Sequence, residues 1–156
     1  MARASTKVSR IIKAPRAAVY KACLDPDALA EWRVPDNMTA RVHAFDAYEG
    51  GTYRMSLTYR NPHQSPGGKT SEGTDTFQGR FVELVPDEKI VEAIEFESRD
   101  SAFAGEMKLT TRLADSVGGT EVTILCEDLP SGIRPEDNET GTGQSLQKLA
   151  ALLEAG

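Results

Sequence analysis

One-sided alternation of apolar and polar residues is the feature that most constrains how this chain can fold. In TYRMSLTYR (52–60), tyrosine, methionine and leucine occupy every second position, and arginine, serine and threonine lie between them. The segment GEMKLTTRLA (105–114) repeats the pattern, and TEVTILCED (120–128) continues it after the turn signal DSVGG. Side chains alternate across a strand, so these segments predict strands with one covered face and one wet face. Sheets of that kind are antiparallel.

Four further segments complete a predicted set of about seven strands. They are KVSRII (7–12), MTARVHAF (38–45), FQGRFVEL (77–84) and KIVEAIEF (89–96). Helical signals occur after the first strand, in PRAAVYKACL (15–24) and from the cap pair Asp25-Pro26 to Trp32, and again in a long segment that begins near Pro135. The predicted order is one strand, two short helices, six strands and one long helix.

The long terminal helix has a clear apolar face. Leu146, Leu149, Ala150 and Leu153 fall at i, i+3, i+4 and i+7, so this face must rest on apolar residues. A sheet with a single apolar face curls, and a single long helix is present to cover it. The chain therefore predicts one α+β domain over residues 1–156, with a gap between the curved sheet and the helix.

Composition excludes several classes of function. The net charge is -6 and both signs are interspersed, which argues against a nucleic-acid partner. No apolar stretch approaches the ~18 residues of a membrane span, so we expect a cytoplasmic protein without membrane insertion. Cys23 and Cys126 lie in apolar-rich segments, which predicts buried thiols. A homodimer is left open.

Several phrases, taken in order, resemble a known family. They are VSRIIKAPRAAVYKACLDPDALAEW, the EGG of 49–51, GRFVELVPDEKIV, the GGTEVT of 118–123 and DNETG…SLQKLAALLE. Together they are similar to the bacterial Hsp90 ATPase activator homologues of the START-like, birch-pollen-allergen-like (SRPBCC) superfamily. The resemblance implies a helix-grip fold whose cavity holds lipids, polyketides or other apolar small molecules, without a universal set of catalytic residues. It also suggests a chaperone as a partner. The eukaryotic co-chaperone, however, has an additional N-terminal domain for which this chain has no room.

The terminal helix departs from the family pattern. Many relatives carry a tryptophan after the helix glycine, whereas this chain has Gly141-Thr142-Gly143. Replacing an indole by a threonine empties volume on the side that faces the sheet. We therefore expect a larger pocket or a flexible entrance at this point.

An apolar set on the covered face either lines a ligand cavity or forms packed core, and the sequence leaves both readings open. The two methionines in it favour a pocket, since thioethers adapt to varied apolar shapes. Thr142 and Leu146 of the terminal helix join the predicted ligand-binding residues. The sheet members of the set are Tyr53, Met55, Leu57, Phe77, Phe81, Ile94, Phe96, Met107 and Leu109.

Three other residues complete the predicted ligand-binding set. Trp32 is either a buried plug or the closure of one cavity mouth. His43 lies either on the wet face or inside the cavity as an acid or base. Glu92 shares its alternation with Ile94, and an inward glutamate would be a general acid or base or would pair with an arginine such as Arg54 or Arg80. The opposite register puts Glu95 inside.

These residues support three functions. The first is binding of a small hydrophobic molecule, with the loop Asn61–Asp75 as a lid. The second is a cyclase or hydrolase that uses Glu92 or Glu95 with His43. The third is a co-chaperone-like interaction module. No catalytic motif, dinucleotide fingerprint or metal-ligand spacing is present, so no cofactor and no metal are predicted.

Overall fold

The computed structural model describes residues 4–60, 73–98 and 100–154. Among the described residues, the order of helices and strands is the predicted one, with a 3₁₀ turn added before the sixth strand. The elements are β1 (Thr6–Ile12), α1 (Arg16–Cys23), α2 (Pro26–Trp32), β2 (Met38–Phe45), β3 (Thr52–Tyr59), β4 (Thr74–Val85), β5 (Lys89–Phe96), the 3₁₀ turn (Ser101–Phe103), β6 (Met107–Ser116), β7 (Gly119–Glu127) and α3 (Pro135–Glu154).

The seven strands form one antiparallel sheet in the order β1-β7-β6-β5-β4-β3-β2. Six neighbouring strands follow one another by hairpin connections, and β1 returns to the far edge beside β7. The sheet curls into a half-barrel around the long helix. This arrangement confirms the predicted α+β helix-grip fold.

Local sequence explains where the elements begin and end. The Asp25 carboxylate caps α2 by accepting the backbone N–H of Asp27 at 2.9 Å, and Pro26 occupies the first helical position. Gly118 has a φ of 87°, the left-handed conformation that the turn between β6 and β7 requires. Strand β4 begins at Thr74, three residues earlier than predicted, because the alternation of buried and exposed residues extends back to Asp75.

The second half of α3 fills the core. Leu146, Leu149 and Ala150 are buried, and α3 packs against β1 and the two short helices. Cys23 and Cys126 are both buried free thiols, as predicted. Within the described ranges, no helix is both long and apolar enough to cross a membrane.

Candidate functional site

A cavity of about 730 Å³ lies between the sheet and the first half of α3. Its size is within the usual range for small-molecule sites. Strands β3 to β6 form one wall, the first half of α3 forms another, and the segment between α2 and β2 closes one end. It lies between the helix and the sheet, where the sequence predicts a gap, and its use for a ligand stays a prediction.

Side-chain size along one face of α3 decides where this cavity begins. Ser145 and Leu149 lie four residues apart on that face, and Asn138, Gly141 and Thr142 continue it toward the N-terminus of the helix. The leucine half reaches the sheet and is packed into the core. The half with small side chains does not fill the same depth, and its residues line the cavity instead.

The sheet supplies an apolar wall. The Phe77 and Phe96 rings pack edge to face with their centroids 5.8 Å apart. Six predicted ligand-binding residues of the sheet line the cavity together with Thr142 of α3: Leu57, Phe77, Ile94, Phe96, Met107 and Leu109. The structure places these seven residues along the cavity, and their contact with a ligand stays a prediction.

The remaining predicted residues lie elsewhere. Tyr53, Met55, Phe81 and Leu146 are buried in the core outside the cavity lining. Trp32 is 2% exposed and its indole N–H donates to the Ala22 carbonyl at 3.0 Å, which makes it a structural plug.

His43 does not enter the cavity. It is exposed, and its Nε2 lies 2.7 Å from Ser56 Oγ on the face of the sheet that points away from α3. Glu95 is also exposed on that outer face. The hypothesis that either glutamate pairs with His43 inside the cavity is therefore wrong, because the strand pleat sends His43 and Glu92 to opposite faces.

Glu92 points inward and forms a buried polar cluster with Arg33 and Tyr53, called the floor below, of which only Arg33 lines the cavity. Its Oε1 accepts a hydrogen bond from Arg33 Nη1 at 2.8 Å and another from the Tyr53 hydroxyl at 2.6 Å. Arg33 Nη2 also approaches the Tyr53 hydroxyl at 3.5 Å, and the guanidinium carbon lies 5.9 Å from the centre of the tyrosine ring. Glu92 is 3% exposed, whereas the Arg33 side chain is 15% exposed and lines the cavity.

The predicted ion pair thus exists, but the predicted arginines were wrong. Arg54 and Arg80 follow the inward-facing Tyr53 and Gly79, so the pleat turns them outward, where they pair with Glu97 and Glu106. Arg33 reaches Glu92 from the end of α2. An arginine directly after the buried Trp32, in the apolar phrase EWRVP, was the available sequence signal.

Gly79 makes this geometry possible. It lies opposite Tyr53 in the β3–β4 ladder, and a Cβ at position 79 would fall 2.0 Å from the tyrosine ring. Because glycine has no side chain, the ring can lie across β4 and carry its hydroxyl to Glu92 on β5. Glycine in a strand interior often marks such a close approach.

The electrostatics of the floor favour a fixed ion pair. Burial lowers the pKa of Arg33, but Glu92, with additions from Tyr53 and Cys23, leaves that pKa raised, so Arg33 stays a cation. Burial raises the pKa of Tyr53 well above its ordinary value, Arg33 opposes that rise and Glu92 adds to it. Burial also raises the pKa of the nearby Cys23 thiol to about 12, so this thiol is unreactive.

Several residues that line the cavity were not predicted from the sequence. Arg33, Asp75 and Asn138 line the cavity, as do Phe103 of the 3₁₀ turn and Ile133 before α3. The Asn138 side chain also accepts a hydrogen bond from the Thr6 hydroxyl, which ties α3 to β1.

The proposed lid, Asn61–Asp75, lies outside the described residues except for 73–75, where Thr74 and Asp75 belong to β4.

A second depression, of about 600 Å³, lies on the outer face of the sheet. The ion pairs Arg54–Glu97 and Arg80–Glu106 form much of its rim. Few apolar side chains line it, so it does not provide the enclosed apolar walls of a small-molecule site. Among the described residues, no group of three or more His, Cys, Asp and Glu side chains could hold a metal ion.

Solved structures share this architecture. A crystal structure of a protein from Chromobacterium violaceum is 35% identical, with a TM-score of 0.84 and 96% of each chain covered. A Rhodobacter sphaeroides protein is 17% identical, with a TM-score of 0.78 over 97% of this chain and 92% of the other. An AHSA1-like protein from Aeromonas hydrophila is 17% identical, with a TM-score of 0.71 over 97% and 93%.

Curated proteins include no match to this chain. Residues 13–154 match the family model described as "Activator of Hsp90 ATPase homolog 1-like protein". The match covers both short helices, six of the seven strands and α3, so it includes every side chain of the cavity and its floor. The chain therefore belongs to the Activator of Hsp90 ATPase homolog 1-like protein family.

Proposed function

We propose that this protein binds a small hydrophobic molecule in the cavity beneath the first half of α3. The observation that carries the proposal is the cavity of about 730 Å³ itself. The sheet gives it an apolar wall, and the side chains of the facing helix are too small to fill it. Each Å² of apolar ligand surface removed from water contributes about 25 cal/mol, and association costs offset part of that gain. The apolar wall therefore provides affinity, and the few polar groups orient the ligand.

Filling the cavity tests this proposal. The substitution Thr142→Trp places an indole on the cavity-facing side of α3. We expect it to weaken binding of the neutral apolar dye Nile red at least tenfold, as measured by the dye's fluorescence. Gly143→Ala is the matched control on the same helix, because a Cβ at position 143 meets no atom within 4 Å and Gly143 is outside the lining.

Native mass spectrometry of protein purified from its host provides an independent test. We expect a bound small molecule whose additional mass disappears in the Thr142→Trp variant and persists in Gly143→Ala. An empty wild-type protein that also fails to bind Nile red would refute the proposal.

Activation of a chaperone is the second candidate, and the description of the family favours it. Such a role predicts that the purified protein stimulates the ATPase of an Hsp90 chaperone. The exposed large apolar residues of the described chain come from separate elements, with Ile11 on β1 and Val82 on β4. Equal stimulation of the chaperone ATPase by wild-type protein and by Thr142→Trp would assign chaperone activation to a surface distinct from the cavity.

A further inference from the structure

Arg33 is a fixed hydrogen-bond donor at the cavity. Its two terminal nitrogens donate to Glu92 and to the Tyr53 hydroxyl. Its side chain is 15% exposed and lines the cavity. A guanidinium carries five N–H donors. Among the described residues, none accepts a hydrogen bond from Arg33 Nε. Every buried side-chain nitrogen or oxygen atom of these residues has a hydrogen-bond partner, so the unpaired Nε is not a fully buried atom. The Nε–H of Arg33 is therefore accessible, and Arg33 lines the cavity.

The described cations around the cavity already have carboxylate partners. Arg33 pairs with Glu92 at 2.8 Å, and Lys148 pairs with Asp36 at the same end of the cavity. Arg134, at the N-terminus of α3, lies 3.6 Å from Glu136. The cavity wall itself also includes Asp137. An anionic ligand would thus lose its hydration beside cations that carboxylates already compensate, which is a larger cost than a neutral ligand meets.

We propose that the ligand is an uncharged apolar molecule with a carbonyl oxygen, as in a ketone, ester or amide, and that Arg33 donates to that oxygen. This inference rests on the proposed function. A carbonyl accepts a hydrogen bond without adding charge, and a paired guanidinium still donates through its free N–H groups. Glu92 and Tyr53 are positioning residues, because they fix the guanidinium in place and do not contact the ligand.

Competition between matched probes tests the charge preference. Prodan, a neutral naphthyl ketone, shifts its emission to the red when its carbonyl accepts a hydrogen bond. Wild-type protein is titrated with prodan and then with 2-undecanone or undecanoate, which have the same number of carbon atoms. We expect the ketone to displace prodan at a concentration at least tenfold lower than the carboxylate. Tighter binding of undecanoate would overturn the inference and leave the proposed function standing.

A charge-neutral variant tests Arg33 itself. Arg33→Met/Glu92→Gln removes both charges and keeps an acceptor for Tyr53. We expect about tenfold weaker ketone binding, equivalent to about 1.4 kcal/mol, with prodan emission shifted to the blue. The control Arg54→Met/Glu97→Gln removes the ion pair on the outer face and leaves ketone binding unchanged.

Arg33→Lys decides the question if the double variant does not fold, because it retains a cation for Glu92 but lacks the planar fork of donors. Weaker ketone binding supports the inference, and unchanged ketone binding in either variant overturns it. If no probe binds the wild-type protein, the proposed function and this inference fail together.

Discussion

The buried ion pair should behave as one energetic unit. Arg33→Met leaves the Glu92 carboxylate, 3% exposed, with Tyr53 as its remaining donor among its described hydrogen bonds. Breaking a buried pair from one side typically costs about 3–5 kcal/mol of unfolding free energy. Glu92→Gln should cost less, about 1.5–3 kcal/mol, because Arg33 is accessible from the cavity and can recover part of its hydration.

The double variant Arg33→Met/Glu92→Gln leaves neither charge unpaired. We therefore expect it to be more stable than the sum of the single losses predicts, by about 2–3 kcal/mol. Urea unfolding followed by fluorescence measures each variant, since Trp32 is the only tryptophan and is 2% exposed in the folded state. The midpoint and the slope are compared across all four proteins.

A matched pair provides the control for this cycle. Arg54 donates to both carboxylate oxygens of Glu97, at 2.7 and 3.0 Å, on the exposed face of the same sheet. Exposed pairs remain hydrated and contribute little, so this second cycle should show much weaker coupling. Additive losses at Arg33 and Glu92, within about 0.5 kcal/mol, would refute the view that burial couples them.

Three further predictions concern single positions. Gly79→Ala should lower the free energy of unfolding by about 1–3 kcal/mol, because the new methyl group displaces the Tyr53 ring; urea unfolding with an unchanged midpoint would contradict this. Gly143→Ala should raise the thermal midpoint and add about 1 kcal/mol, since position 143 is helical and open; a lower midpoint would show that a glycine is needed there. Tyr53 keeps its proton in the folded state at a pH where the unfolded phenol has lost it, so stability should fall as pH rises above about 10. Tyr53→Phe should flatten that alkaline decline in a Cys23→Ala/Cys126→Ala background, which removes the two buried thiols whose pKa values are also raised, and an unchanged slope would argue against a buried phenol.

The candidate site was predicted in part. Leu57, Phe77 and Ile94 were expected on the covered face and do line the cavity, because a strand's period of two determines which side chains share a face. The same rule could not separate cavity wall from solid core. Met55 lies on the same face of β3 as Leu57, yet it packs into the core and is not part of the cavity lining.

The floor of the site depended on contacts that local patterns do not specify. Glu92 was predicted to face inward in one of two registers and to pair with an arginine. The pleat sends Arg54 to the outer face, whereas Arg33 enters from the end of α2, 59 residues away in sequence. No periodicity connects a helix terminus to a distant strand, so only the packed structure identified Arg33 as the partner.

Hydrophobic periodicity by itself determined the strands, the helices and their order, since alternation and helical spacing are local properties of the chain. It also determined that one long helix would cover the apolar face of the sheet. The tertiary structure decided that Leu146 and Leu149 fill the space beneath α3 while Gly141 and Thr142 leave it open. Whether a side chain fills a gap depends on the distance between the helix and the sheet, and that distance is a property of the assembled fold.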